Sequence, residues 1–366
     1  MHIRTQREPL IHALTKVGGV VEKRQTLPIL GNIHIHAAED QLTLTGTDRE
    51  LEIRTRLAAT VLEPGDITVP ARKFIDICRA LPEDADINFR VANQRASLVA
   101  GKSRFNLSTL PAADYPLMEA DSGDQSIEIE QGVLKELLDK TAFAMANQDV
   151  RYYLNGLFLK VEPRGITAVA TDGHRLARLE QLCDLDVAEA VQVIVPRKTV
   201  LELNRLIDGG NELVRLDLSS RTLRSFVGDT VLTSKLVDGR YPEYERVIPL
   251  MADKVALVDR EGLRQSLLRT SILSNEKFKG IRLSFNAQEL KLQAHNPEQE
   301  EAEEHLEVEY ADQPLDIGFN VGYLLDVLSV IDEQRVEMRF SESNSSALLR
   351  GAGREDQTYV VMPMLL

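Results

Sequence analysis

The sequence predicts an α+β protein made of three repeated domains, each with two helices packed on antiparallel sheets. Three observations predict this fold class. The length of 366 residues suits two or three domains rather than one core. Short segments recur at steps of 124 or 125 residues, which is typical of a repeated unit. Runs with the alternation of strands and runs with the apolar spacing of helices also follow one another in the same order in each repeat.

The repeats are visible in three sets of equivalent segments. The first set aligns positions 32, 156 and 280 and comprises Leu30–Ile33, Leu154–Leu157 and Phe278–Ile281. The second comprises Thr47-Asp48, Thr171-Asp172 and His295-Asn296. The third aligns Lys73 with Lys198 and Gly322 and comprises Val69–Lys73, Val195–Lys198 and Phe319–Gly322. We therefore interpret the chain as three domains, residues 1–118, 127–245 and 253–366, with linkers within Leu117–Ser126 and Arg246–Lys254.

Each domain is itself predicted to contain a half-copy, so that a unit of one strand, one helix and about three further strands is used six times. In the first domain, apolar residues at helical spacing indicate two helices, which carry Leu10, Ile11, Leu14 and Val17, then Phe74, Ile77, Cys78 and Leu81. Alternation indicates strands such as Ile33–His36 and Leu42–Leu44. The six predicted helical windows are Arg7–Arg24, Pro70–Pro82, Gln131–Arg151, Pro196–Asp208, Arg260–Lys279 and Asn320–Asp332.

Composition excludes several classes of protein. No apolar run approaches the roughly 18 residues of a transmembrane helix, and the N-terminus lacks the apolar core of a signal peptide, so we expect a cytoplasmic protein with no membrane partner. Cys78 and Cys183 are too few for a disulfide framework or a cysteine-rich metal site and are expected to be small core residues. A chain with 5% aromatic residues and no tryptophan is not a base-stacking single-strand binder.

No motif predicts catalysis, and we expect no catalytic residue, no metal and no cofactor. Asp172-Gly173-His174-Arg175 offers a carboxylate and an imidazole, but Asp172 is explained by its repeat with Asp48. His34 and His36 share a strand face that can ligate metal, although an exposed strand is the simpler interpretation. Gly101-Lys102-Ser103 lacks the first glycine of a phosphate loop and is interpreted as a strand-turn fragment. Ser341–Ser346 is interpreted as a loop.

The size of the repeated domains and the distribution of charge along the chain indicate a function for the repeats. A domain of this size is about 35 Å across, and six in a ring leave a hole of about the same width, through which a duplex about 20 Å wide passes. A head-to-tail dimer therefore makes a pseudo-six-fold ring, although repeats also make solenoids and filaments. The net charge of −14 argues against coating DNA, but the six helical windows together carry +6, which leaves about −20 elsewhere. Helices also tolerate Lys and Arg well in general.

Several blocks resemble the beta subunits of bacterial DNA polymerase III, the sliding clamps. They cover all three repeats: Thr26–Asn32, Leu44–Asp48, Val69–Lys73, Ser108–Ala112, Gln148–Gly156, Ala170–Leu176, Thr233–Arg240, Ile272–Lys277, Asn296–Glu304 and Val360–Met364. The resemblance implies the DNA clamp fold and a homodimeric ring that encircles double-stranded DNA without sequence preference. It further implies a clamp loader, the DNA polymerase III alpha subunit, and other polymerases and repair proteins carrying clamp-binding peptides as partners.

The resemblance also implies three sets of site residues. Family likeness places near the DNA backbone Arg24, Arg72, Gln148, Tyr152 and Tyr153. We extend this set to Arg197 and Lys198 because they occupy the place of Arg72 in the second domain; the third domain has the uncharged Val321-Gly322 there. The partner-peptide pocket is expected to comprise Leu154, Thr171, Gly173, His174, Arg175, Leu176, Pro242, Arg246, Val247, Val360, Met362, Pro363 and Met364. The dimer interface is expected to comprise Phe105, Leu107, Ile272 and Leu273.

Two features of these sets depend on the sequence itself. The apolar tail Val360–Leu366 is unusual at a chain end and is explained if it covers a groove between the second and third domains, where methionines suit varied apolar peptides. The family often has a basic residue where this chain has Leu365. The acidic run Glu298–Glu304 can pair with Lys73, Lys102 or Arg104 across the dimer interface, or it is a solvated face. The alternative to a clamp is a repeat-built soluble enzyme or scaffold unrelated to DNA.

Overall fold

The computed structural model describes residues 1–21, 27–119, 123–249 and 252–365. Within them the predicted unit is confirmed: six times a strand leads into a helix, and at least three antiparallel strands follow. The first repeat contains β1 (His2–Gln6), α1 (Arg7–Gly18), β2 (Asn32–Ala38), β3 (Gln41–Thr47), β4 (Leu51–Ala58) and β5 (Thr60–Glu63). Its second half contains β6 (Gly65–Pro70), α2 (Ala71–Ala80), β7 (Asp86–Ala92), β8 (Arg95–Ala100) and β9 (Ser103–Ser108).

The second and third repeats follow the same order. The second contains β10 (Gln125–Glu130), α3 (Gln131–Thr141), β11 (Gly156–Glu162), β12 (Gly165–Thr171) and β13 (Arg175–Gln181), then β14 (Val191–Pro196), α4 (Arg197–Leu206), β15 (Leu213–Leu218), β16 (Thr222–Val227) and β17 (Thr230–Lys235). The third contains β18 (Lys254–Asp259), α5 (Arg260–Thr270), β19 (Gly280–Asn286), β20 (Glu289–His295) and β21 (Glu301–Tyr310), then β22 (Leu315–Asn320), α6 (Val321–Val330), β23 (Arg335–Phe340), β24 (Ala347–Gly351) and β25 (Gln357–Val361).

The helices are shorter than their predicted windows. α1 ends at Gly18, where two successive glycines disfavour the helix, and the predicted remainder of its window includes residues 22–26, which lie outside the described residues. α3 and α5 each give way to one 3-10 turn, Ala142–Ala144 and Ser271–Leu273. The observed helices nevertheless keep the predicted charge, because they also sum to +6.

Contacts divide the chain into two compact units, residues 1–132 with 201–236 and residues 133–200 with 237–366. The first unit holds a five-stranded sheet of order β5-β1-β7-β8-β9 and an eight-stranded sheet of order β10-β15-β16-β17-β4-β3-β2-β6. The second unit holds a twelve-stranded sheet of order β14-β11-β12-β13-β25-β24-β23-β18-β21-β20-β19-β22. Of the central repeat, β10 and β15–β17 therefore belong to the first unit, whereas β11–β14 belong to the second.

Neighbouring repeats join through the same pair of strands at both junctions inside the chain. β17 pairs antiparallel with β4, with Leu232 opposite Ile53, and β25 pairs antiparallel with β13, with Tyr359 opposite Ala177. In each case the last strand of one repeat lies beside the third strand after the first helix of the preceding repeat. The equivalent strands β9 and β21 have open edges in the described residues: β9 pairs with β8 alone, and residues 301–307 of β21 pair with β20 alone.

The Thr-Asp pair that recurs in the first two repeats forms a turn, which agrees with explaining Asp172 by the repeat rather than by catalysis. The Thr47 hydroxyl donates to the carbonyl of Leu51, and Asp48 Oδ1 accepts from the backbone N–H groups of Glu50 and Leu51. In the second repeat Thr171 and Asp172 repeat both features toward Arg175. These bonds tie the carboxylate of Asp172 to the backbone, so its place in the sequence is explained by a turn rather than by acid–base chemistry.

Four smaller expectations have mixed outcomes. Gly101-Lys102 is a turn between β8 and β9, and residues 341–346 are a loop, both as expected. Cys78 is buried, but Cys183 is only half-buried, so the second cysteine is not a core residue. The prediction of an exposed strand is wrong for His34, which is 8% exposed because Tyr115 stacks on its ring. The described residues contain no group of three or more His, Cys, Asp or Glu suited to a metal ion.

Candidate peptide pocket and nucleic-acid interface

The second unit contains an apolar cavity of about 160 Å³ beside the junction of β13 and β25. Leu176 of β13 lies opposite Val360 of β25 in the ladder, and both are buried together with Leu154. The other walls come from the loop before β11, the turn after β12 and the segment after β17. Residues around the cavity are Arg151, Tyr153, Leu154, Thr171, Gly173, Arg175, Leu176, Pro242, Glu243, Tyr244, Val247, Val360 and Met362.

Stacked aromatic rings hold the wall of the cavity in place. The ring of Tyr241 lies 5.0 Å from that of Phe158, and the ring of Tyr244 lies 5.9 Å from the same side chain. Burial raises the pKa of the Tyr241 phenol, so this side chain stays neutral. The Tyr-Pro pair at 241–242 thereby presents Pro242 and the following turn, Tyr244–Val247, to the cavity.

Arg175 forms the polar edge of the cavity and is held from several sides. Its Nε donates to Asp172 Oδ2 at 3.1 Å, its Nη2 donates to the carbonyl of Phe143 at 2.9 Å, and its Nη1 pairs with Asp326. The guanidinium also lies 4.7 Å from the ring centroid of Tyr323. Because these contacts neutralise its charge and hold it in place, Arg175 shapes the cavity wall rather than offering a free cation to a ligand.

A second arginine, Arg151, also lines the cavity and is held in place. Arg151 contacts both carboxylate oxygens of Asp149, through Nε at 3.0 Å and Nη2 at 2.9 Å, and Nη2 also donates to the carbonyl of Asp172. The Arg151 guanidinium holds the pKa of Asp149 at about 2. This contact connects the exposed loop before β11 to the turn after β12.

Nine predicted pocket residues line the cavity, and four lie elsewhere. His174 accepts from Met362 N at its carbonyl, and its ring stacks 6.3 Å from Tyr323. Arg246 is exposed and pairs with Glu243. Pro363 is half-buried, and Met364 lines a different cavity.

Four lining residues were not predicted for the pocket: Arg151, Tyr153, Glu243 and Tyr244. Tyr153 was assigned to DNA alone. Spacing in the Tyr241-Pro242-Glu243-Tyr244 segment, with two aromatic residues three apart, is the signal that points to Tyr244. Val360 and Val361 also belong to a strand that joins two repeats, so removal of residues 360–366 disrupts that sheet as well as the pocket.

The predicted DNA contacts of the second unit lie near one another. Gln148 and Tyr152 are exposed on the loop before β11, where Gln148 has a φ of +59°. The ring of Tyr152 meets that of Tyr153 edge-on at 5.8 Å. Arg197 at the start of α4 donates through Nη1 to the carbonyl of Met145 at 3.0 Å, so the start of α4 and this loop form one surface.

The other predicted DNA contacts have separate positions. Arg72 is exposed as the second residue of α2 in the first unit, and Arg24 lies outside the described residues. Strand register corrects the proposed equivalence by one residue: Pro70 lies opposite Asn32 and Pro196 opposite Gly156. Lys198 is therefore the counterpart of Arg72, and Arg197 is the counterpart of Ala71.

The four predicted interface residues differ in exposure. Ile272 is 75% exposed on the 3-10 turn after α5, and Leu273 and Phe105 are half-buried. Leu107 is only 6% exposed because its side chain faces the core of its own sheet. Its backbone, on the open edge of β9, remains available.

Much of the acidic run near β21 has partners in the same unit. Glu304 pairs with Arg269 at 2.7 Å, and Glu303 lies 2.8 Å from Lys291 and 2.9 Å from His305. Hydrogen bonds from Lys291, which has the larger effect, and from His305 hold the pKa of Glu303 at about 2. The run is thus partly an internally paired face.

Comparison with known families covers the whole length of the chain. Three family models match it in succession: the N-terminal domain of the DNA polymerase III beta subunit over residues 1–119, the central domain over 128–243 and the C-terminal domain over 245–365. The chain belongs to this family. It is 51% identical to the beta sliding clamp of Pseudomonas putida and 46% identical to that of Escherichia coli, with 100% of each chain covered.

Solved structures of relatives agree with this assignment. The sliding clamp of Pseudomonas aeruginosa bound to griselimycin has a TM-score of 0.96 at 51% identity, and that of Caulobacter crescentus has a TM-score of 0.95 at 38% identity; the chain is covered completely in both cases. The three-domain clamp fold expected from the sequence is confirmed, and the alternative of an enzyme or scaffold unrelated to DNA is wrong. Among the described residues, no helix has the length and apolar character needed to cross a membrane.

Proposed function

We propose that the chain is a sliding clamp: two copies close head to tail around duplex DNA and tether the replicative DNA polymerase, without chemistry of their own. The observation that carries this proposal is the end-to-end match to the family, in sequence and in fold. The repeats add a physical reason, because identical junctions that recur at a fixed step form a closed ring when the rotation completes a circle.

We infer how the ring closes by applying the strand pairing at the two junctions inside the chain to the open edges of β9 and β21. Through the hairpins, Phe105 is equivalent to Leu232 and Tyr359, and Ala302 is equivalent to Ile53 and Ala177. Both junctions inside the chain therefore predict one register between two copies, with Phe105 opposite Ala302. Arg104 then lies opposite Glu303, an attractive cross-strand pair.

Side chains next to the junctions support the same contact. Inside the chain, Phe143 on the 3-10 turn after α3 packs against Tyr359 with ring centroids 6.0 Å apart. The equivalent turn after α5 carries the exposed Ile272, and Phe105 occupies the place of Tyr359. Ile272 is therefore expected to pack on Phe105 of the other copy, which gives an exposed apolar side chain a partner.

We expect the helices to face the DNA. They carry +6 while the rest of the chain carries about −20, so their basic side chains attract phosphates while the acidic remainder repels DNA. Arg72, Gln148, Tyr152, Arg197 and Lys198 are our proposed backbone contacts. Contacts of this kind carry no sequence information, which suits a clamp that must slide.

The apolar cavity is the proposed docking site for partner peptides. Its small volume and apolar walls fit one or two hydrophobic side chains of a short linear motif. Met362 and Val247 sit at its rim, where flexible and exposed apolar groups suit several different peptides. We propose as partners the DNA polymerase III alpha subunit, the clamp loader, and other polymerases and repair proteins with clamp-binding peptides.

Retention on circular DNA tests the proposed function. The protein is loaded by its clamp loader onto a nicked circle and passed through a gel filtration column in high salt. A tether linked by topology stays on the circle and leaves when a restriction enzyme linearises it. Binding through phosphate contacts alone is lost from both forms as salt rises, and that result would contradict the proposal.

A further inference from the structure

In all three repeats, the segment that follows the last strand of the second half makes the same backbone contact. The chain leaves the last strand of that half and hydrogen-bonds to the strand with which the same half begins, β6, β14 or β22. Leu110 N donates to Thr68 O at 3.3 Å, Val237 N to Ile194 O at 2.9 Å, and Met364 N to Gly318 O at 2.9 Å. In the first two repeats a Tyr-Pro pair follows within five residues, at Tyr115-Pro116 and Tyr241-Pro242.

In the first repeat this tyrosine occupies a socket on the sheet. Tyr115 stacks on His34 with ring centroids 5.5 Å apart and is 6% exposed. Its hydroxyl accepts from Thr47 N at 3.2 Å and lies 3.1 Å from the carbonyl oxygens of Asn32 and Thr45, to either of which it can donate. The phenol is thus bound by its ring face and by its hydroxyl.

The second repeat fills the equivalent socket with the same ring stacking, although the Tyr241 hydroxyl forms no hydrogen bond with the described residues. Tyr241 stacks on Phe158, which is the counterpart of His34 at a step of 124, and is 7% exposed. Leu154 beneath it is 2% exposed, as is expected for a floor that the tyrosine segment covers.

In the third repeat the equivalent positions line an open cavity of about 550 Å³. Phe278, the counterpart of Leu154, is 56% exposed, although the matching residues Leu30 and Leu154 are buried. Arg282 holds the position of His34 and Phe158; it is exposed and forms no hydrogen bond or ion pair with any described residue. Met364 and Leu365 form the apolar side of this cavity.

The chemistry of this cavity suits a phenol. Arg282 offers a guanidinium to the face of an aromatic ring, a favourable contact. Gly280, Gln293 and His295 hold the positions of Asn32, Thr45 and Thr47, whose backbone groups bind the Tyr115 hydroxyl. The exposed ring of Phe278 and the side chain of Met364 offer apolar surface for a proline.

We infer that this third-repeat cavity is a socket for a tyrosine–proline segment of another polypeptide. The chain itself supplies such segments to the two equivalent sockets, which defines both the chemistry and the backbone direction of the occupant. All lining residues belong to the second unit of one chain, so this inference goes beyond the clamp function and does not depend on ring closure.

Direct binding of a peptide copied from this chain tests the inference. The probe is a fluorescein-labelled peptide with the sequence of Leu236–Glu245, titrated with the full-length protein by fluorescence anisotropy. We expect saturable binding that weakens about two- to tenfold when the tyrosine before the proline, Tyr241 of the copied segment, is replaced by phenylalanine. This change removes the hydroxyl, which in the first repeat is bound by backbone groups of the socket. Replacement by alanine should weaken it further, because the stacked ring is lost as well.

Variants of the protein separate this socket from the apolar cavity near Leu176. We expect Phe278→Ala and Arg282→Ala each to weaken binding of the probe severalfold, and Met362→Ala and Val247→Ala to leave it unchanged. Thermal melting checks that all four variants are folded. In hydrogen exchange, the probe should slow the amide of His295, the counterpart of Thr47.

Two outcomes would overturn the inference. One is the absence of saturable binding up to millimolar peptide, and the other is binding that is lost in Met362→Ala but kept in Phe278→Ala and Arg282→Ala. The second outcome would assign the probe to the apolar cavity instead. Neither outcome bears on retention on circular DNA, so the clamp function is tested separately.

Discussion

Leu176 and Glu52 show at the scale of one residue how a repeated surface became a pocket in the second repeat. The two residues hold equivalent positions in β13 and β4. Glu52 is buried and accepts from Met118 N at 2.8 Å and from Arg54 at 3.0 Å, and burial raises its pKa. It thereby ties the segment after the first repeat against the sheet. With Leu176 at this place the floor is apolar and has no such acceptor, so the cavity can take an apolar side chain.

At the same scale we predict that Met362→Ala and Val247→Ala each weaken binding of the clamp-binding peptide of the polymerase III alpha subunit by about tenfold, because each removes apolar contact at the cavity rim. Fluorescence anisotropy with the labelled peptide measures this change. Both side chains are partly exposed, so melting temperature should hardly change. Leu182→Ala, an exposed apolar site outside the lining, is the matched control, and equal loss in this control would contradict the assignment.

At the scale of elements, the repeats in the sequence were enough to predict the half-repeat and its use six times. The Thr-Asp pairs and the Pro-containing helix starts mark fixed points of one backbone path, so they survive divergence. Strand partners were not predictable, because pairing of β17 with β4 joins residues about 175 positions apart. The burial of Leu107 was likewise not predictable, nor was the one-residue correction at Arg197. Both depend on the register between neighbouring strands, which is set by strand pairing rather than by the spacing of residues in the sequence.

The predicted register between β9 and β21 of two copies is testable by cross-linking. We expect Phe105→Cys with Ala302→Cys, in a chain that also carries Cys183→Ser, to give a covalent dimer on non-reducing gels after mild oxidation. Directly opposed antiparallel residues have Cα atoms about 4.5–5.5 Å apart, which is within disulfide range. Asn106→Cys with Ala302→Cys is the control, since its side chain points to the other face of the sheet. A stronger cross-link in the control would show that the register is shifted.

For the whole molecule, the net charge is −14 while the helices carry +6. With this distribution of charge, the residence time on DNA and the affinity for DNA depend on different parts of the protein. Few phosphate contacts give weak affinity that salt removes, and they leave the protein free to slide. Long residence must then come from closure of the ring, which salt does not affect in the same way. The strength of the junction between copies, rather than affinity for DNA, therefore decides how long the clamp stays.

We accordingly predict that Ile272→Glu separates the two copies without unfolding either. A carboxylate in place of this exposed apolar side chain would have to be buried against Phe105 of the other copy, at a cost of several kcal/mol unless it is paired. Light scattering at micromolar concentration should report twice 41.0 kDa for the parent chain and 41.0 kDa for the variant. The far-ultraviolet circular dichroism spectrum should not change, because Ile272 is 75% exposed within one chain and its replacement leaves the core of that chain intact. Loaded onto circular DNA, the variant should be lost at any salt concentration, whereas Leu182→Glu should be retained. A dimeric Ile272→Glu protein that stays on the circle would place the junction elsewhere on the chain.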